Sequence, residues 1–141
     1  MRRLALGVVL ALLVPIGAPA AAKSGPSISG GGSADDMTRF ALAINGGSGH
    51  FECLMPGVMA VQATVTGVDA AGSTSASFHG LAGVNLSSGN PFGLPAGPMV
   101  RGAKFTATVT SGGPGVGTVD LEILGMSFKG TVEHGHTDIS P

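Results

Sequence analysis

Short runs in which apolar and polar residues alternate with a period of two dominate this chain. Met59, Val61, Ala63 and Val65 alternate with Ala60, Gln62, Thr64 and Thr66. Phe105, Ala107 and Val109 alternate with Lys104, Thr106, Thr108 and Thr110, and Val119, Leu121 and Ile123 with Thr118, Asp120 and Glu122. Phe128, Gly130 and Val132 repeat the pattern against Lys129, Thr131 and Glu133. Such segments hide one face in a core and wet the other, which is strand behaviour. Turn signals separate them: Asp69-Ala70-Ala71-Gly72, Ser111-Gly112-Gly113-Pro114-Gly115 and Gly125. Residues 73–86 read as a second long extended stretch, with Gly80 and Gly83 as bulge or bend points.

Residues 35–44 fit two periods. Met37, Phe40, Ala41 and Ile44 match helical spacing, whereas Phe40, Leu42 and Ile44 match strand spacing. The Asn45-Gly46-Gly47-Ser48-Gly49 turn decides for strand, because a hairpin then forms with residues 50–55. Residues 136–139 add a short last strand. The resulting expectation is an all-β chain: a single antiparallel β-barrel or β-sandwich of roughly eight strands, with little helix outside a leader.

That leader is residues 1–22. Arg2 and Arg3 form a positive start, residues 4–16 are apolar and broken by Pro15, and small residues bracket cleavage after Ala20 or Ala22. The apolar run is short for a membrane span. A signal peptide is therefore expected, with a secreted or periplasmic product and no stable membrane span after cleavage. A Gly/Ser-rich segment, residues 23–35, opens the mature chain as a flexible entry with one short edge strand around Ile28, and residues 36–141 form the β-domain.

Without the leader the chain carries five basic and eight acidic residues, a net charge of −3. No basic stripe remains to displace counterions from a phosphate backbone, so nucleic-acid binding is not expected. Trp and Tyr are absent, which removes the usual stacking platforms for bases and sugars and the aromatic girdles of membrane barrels. Cys53 is the single cysteine, so no intrachain disulfide forms. Burial as a small apolar side chain is the plain reading of it; an intermolecular disulfide is the sharper one.

Two groups of residues are candidates for function. Residues 87–101 form a long connection with three Pro and three Gly. It carries Phe92, Leu94, Met99 and Arg101, either as a cap on an open barrel end or as a binding lip. His134 and His136 are spaced to share one strand face, as are His50 and Glu52; together they are the weak metal candidates. Solvent-facing polar positions account for them better. The methionines Met37, Met55, Met59, Met99 and Met126 could suggest a periplasmic copper carrier, since soft thioethers suit Cu(I), but they are scattered, without Met-x-x-Met clusters or a His-x-Met pair, and core or loop packing is the better account. Gly46-Gly47-Ser48-Gly49-His50 resembles a nucleophile elbow but lacks the closing glycine and a following helix.

The order of motifs adds a family likeness. Gly30-Gly31-Gly32 precedes Phe40 to Asn45 and Gly49-His50-Phe51; the Phe105 to Thr110 strand leads into Gly112-Gly113-Pro114-Gly115 and Asp120 to Ile123. Gly130-Thr131-Val132, Gly135 and Ile139 close the chain. This resembles the post-COAP-like domains, a loosely defined group of secreted bacterial β-domains. Leu121 stands where that pattern has an aromatic residue. The resemblance implies an all-β extracytoplasmic module and carries no catalytic residue with it.

The function expected from these readings is a secreted non-catalytic β-module with a structural or interaction role toward a protein or cell-surface partner, without a cofactor. A carrier holding a small apolar ligand in a barrel cavity is the first alternative. A small enzyme using His and carboxylate groups is the second. A concave pocket holding a His with a carboxylate partner would mark the enzyme, and an enclosed apolar cavity the carrier.

Overall fold

The computed structural model describes residues 25–98 and 102–141; the leader assigned to residues 1–22, together with Met99 and Arg101, lies outside them. Nine strands follow in chain order: β1 (Ser27–Ala34), β2 (Met37–Asn45), β3 (Ser48–Met55), β4 (Met59–Ala71), β5 (Ser75–Leu86), β6 (Gly97–Pro98), β7 (Ala103–Thr110), β8 (Thr118–Ile123) and β9 (Met126–Ser140). Each pairs antiparallel with its neighbours in the order β1-β2-β3-β4-β5-β7-β8-β9. β9 then pairs with β1, closing an eight-stranded up-and-down barrel. β6 is a two-residue strand added to the end of β5. Closure satisfies both edges of the sheet, so the architecture is a barrel and not a sandwich.

Three readings of the sequence need correction. The described part of the Gly/Ser-rich segment forms more than the short edge strand expected around Ile28. Its residues 27–34 are a full strand between β2 and β9, so the β-domain begins at Ser27 and not at residue 36. The glycines serve close approach: a Cβ on Gly32 would lie 1.8 Å from the His134 carbonyl oxygen of β9. The final strand is also continuous. Residues 136–139 belong to the fifteen-residue β9 and form no separate strand. The bulges expected at Gly80 and Gly83 of β5 sit instead on β4, where the register shifts between Val65 and Gly67 and again between Val68 and Ala70.

The alternation works as anticipated. Along β4, Met59, Val61, Ala63 and Val65 are buried while Gln62, Thr64 and Thr66 are exposed. A barrel of eight strands has an interior just wide enough for side chains to fill. Phe51, Phe78 and Phe105 occupy its middle as a mutually packed trio, with ring centroids 6.0 to 6.3 Å apart. One end, reached by the starts of β2, β4, β7 and β9, is lined by Met37, Met55, Met59, Leu86 and Ile123. The opposite end holds Ile28, Ile44, Val65 and Val109. There β8 starts late, and the segment 111–117 fills the gap: Gly112 and Thr137 exchange backbone hydrogen bonds, and Gly115 N–H donates to Val132 O at 2.9 Å. Thr137 is fully buried, and its hydroxyl donates to Thr110 O at 2.5 Å. That bond supplies the partner a buried hydroxyl needs.

Candidate functional site

The long connection after β5 is organised from within by Asn90. This side chain is 7% exposed and uses both ends of its amide. Nδ2 donates to Ser87 O (3.0 Å) and Leu94 O (2.7 Å), while Oδ1 accepts from the backbone N–H of Phe92 (3.1 Å) and Leu94 (3.3 Å). The loop so folded lays Phe92 against Phe128 of β9, ring centroids 6.4 Å apart and edge to face. Both rings pack on the buried core. Phe92 therefore caps the methionine-lined end of the barrel. Leu94 is the loop's large apolar side chain left outward, at 44% exposure.

The four weak metal candidates do not assemble. Sheet register shows why. His50 of β3 opposes Ala43, which opposes Ser29, which opposes Asp138 of β9. Glu52 opposes Ala41, then Gly31, then His136. Two whole strands separate each pair, a distance of about 14 Å around the wall at about 4.8 Å per strand. The residues have other partners: Arg39 sits 3.4 Å from Glu52, and His136 Nε2 lies 3.0 Å from Asp138 Oδ2. Among the described residues, no three His, Cys, Asp or Glu side chains are placed to hold one ion.

The structure pairs a histidine that the sequence reading left aside. His79 Nδ1 lies 2.8 Å from Asp69 Oδ1 on the outer wall, both side chains about half exposed. A carboxylate only accepts, so it holds the proton on Nδ1 and leaves Nε2 as the free ring nitrogen. The imidazole rests over Gly67: a Cβ there would come within 2.6 Å of the ring. Both register shifts of β4 fall beside this pair, and bulges of this kind re-aim side chains. Gly67 within a run of Val and Thr was the available signal. The pair sits on the outer wall and lines none of the grooves around His50, Glu52 or Lys104.

Cys53 faces the interior at 4% exposure. Burial, with a smaller contribution from Glu52, pushes its thiol up to about 12. A thiol so placed is out of reach of another chain. The surface grooves are open; one of about 630 Å³ runs past Ser29, Ala43, His50 and Thr64. With this geometry established, comparison with known proteins finds no matching family, no matching curated protein and no matching solved structure.

Proposed function

We propose that this chain is an exported, non-catalytic β-barrel module with a structural or interaction role. The packed Phe51–Phe78–Phe105 trio carries this reading, because it occupies the volume that a carrier would reserve for its ligand. The outer wall supports it as well. Its strand positions are mainly Thr, Ser, Gln and charged residues, the reverse polarity of a barrel whose outside meets lipid. The contact surface is the outward side of the loop, with Leu94 at its centre and Met99 and Arg101 following in sequence. The partner is a protein or cell-surface component, the location is the periplasm or the cell exterior, and the likeness to post-COAP-like domains belongs to the same proposal.

Native mass spectrometry of the protein recovered from culture fluid or periplasm tests the reading. The expected mass is that of the polypeptide without an organic ligand, beginning after Ala20 or Ala22. A stoichiometric apolar molecule travelling with the chain overturns it in favour of the carrier, and an intact leader overturns the location. Leu94→Asp should leave the melting temperature unchanged and abolish association with the cell surface; unchanged association removes the loop from the contact surface.

A further inference from the structure

Methionines that are scattered in sequence are gathered by the fold. Met37 opens β2, Met55 ends β3 and Met59 opens β4, three adjacent strands meeting at one end of the barrel. All three side chains are inward and at most 1% exposed. Met55 and Met59 are direct cross-strand partners, which places their Cβ atoms about 4.5–5.5 Å apart. Arg39 opposes Leu54, so Met37, two residues earlier, lies beside the Met55-Pro56 corner. Cys53 precedes Met55 by two residues on the same face of β3 and brings a fourth sulfur.

Leucine would fill this space equally well, so packing alone does not call for sulfur. What sets the cluster apart is donor chemistry. Thioethers and a thiolate select soft monovalent ions, whereas the Phe40 and Val61 that flank Cys53 in register offer no oxygen to a hard ion. Charge is also balanced. A bare cation in an apolar interior is costly, and a thiolate beside it cancels the charge. Glu52 and Arg39, the charged groups nearest in sequence on β3 and β2, pair with each other on the outside. Among the described residues, Cys53 is the one titratable side chain buried in the interior. Pro56 and Gly57, the turn over this end, are exposed, so the sulfur cluster lies one hairpin turn below solvent.

We infer that Met37, Cys53, Met55 and Met59 form a binding site for a soft monovalent metal ion, Cu(I) or its redox-inert analogue Ag(I). On binding, the Cys53 S–H bond breaks, a sulfur–metal bond forms and the proton leaves to solvent, with no change in oxidation state. This inference is independent of the interaction role, since it requires no partner.

The test is titration of the processed chain with Ag(I) in chloride-free buffer, followed by native mass spectrometry and by NMR of the methionine ε-methyl groups. One ion should bind per chain, shifting the methyl signals of Met37, Met55 and Met59 while leaving Met126 in place. Cys53→Ala and Met55→Leu should each weaken binding at least tenfold with an unchanged circular dichroism spectrum. Met59→Leu replaces Met55→Leu if that variant does not fold. No adduct at equimolar micromolar concentrations, shifts confined to Met99 and Met126, or variants that bind like the parent chain would each overturn the assignment.

Discussion

Replacing Phe78 with alanine empties the centre of the barrel. Phe78 is fully buried on β5, its ring 6.0 Å from Phe51 and 6.3 Å from Phe105. Truncation removes two of the three ring pairs, each contributing about 0.5–1.5 kcal/mol beyond simple burial. Core Phe→Ala changes cost about 3–5 kcal/mol in total. The upper half of that range is expected, because a sheet hydrogen-bonded all the way round resists collapse into the hole. A domain of ordinary stability holds about 5–15 kcal/mol, so a quarter or more of it is lost. Urea unfolding followed by far-ultraviolet circular dichroism should show a lower midpoint at nearly constant slope. The melting temperature should fall by about 16–20 °C, at about 4 °C per kcal/mol for this size. The hole should also take up benzene, as dry engineered cavities do, and recover part of the lost stability. A loss below about 1 kcal/mol, the range of unremarkable substitutions, would refute a filled interior.

Three further outcomes follow from particular contacts. Asn90→Ala leaves the Phe92 and Leu94 amides without their acceptor, at a cost of about 1–3 kcal/mol; hydrogen exchange should speed up at those two amides and not in β3 or β8. Gly80→Ala places a Cβ 1.9 Å from the Thr64 carbonyl oxygen and should cost more than about 2 kcal/mol, whereas Gly83→Ala, with only the Gln62 oxygen at 3.8 Å, should be neutral or stabilising by about 0.4–1 kcal/mol; equal effects in chemical denaturation would contradict the register of β4 and β5. The Cys53 thiol, raised from 9.0 to about 12, ionises first in the unfolded chain. Its contribution is therefore complete below about pH 9 and is lost as pH climbs toward 12, by about 1.4 kcal/mol per unit. Urea midpoints at pH 8, 10 and 11 should show this slope in the parent chain and not in Cys53→Ala.

Strands were legible because their period is local. Each alternating run carries its own evidence, and Asn45-Gly46 marks a reversal directly: Gly46 sits at φ 62°. What escaped is set by pairing between distant segments. Residues 27–34 look like a linker until β9 is laid beside them, because Gly32 is needed for an approach that only the closed sheet creates. The Asp69–His79 pair depends on two register shifts in β4, and no spacing rule reveals a bulge. Spacing alone made His50 and His136 weak metal candidates, whereas the order β3-β2-β1-β9 places two strands between them.

Closure also decides where function can reside. A wall of eight strands leaves no more room than its inward side chains need, and three phenylalanines fit only because Ala63, Ala76, Ala82 and Ala107 share the interior with them. Enlarging a pocket would mean removing a ring from that set, at the cost worked out for Phe78. Chemistry compatible with this interior must need no cavity. Contacts on the outer wall and loop meet that condition, as does a single ion held by sulfur atoms that already line the methionine end.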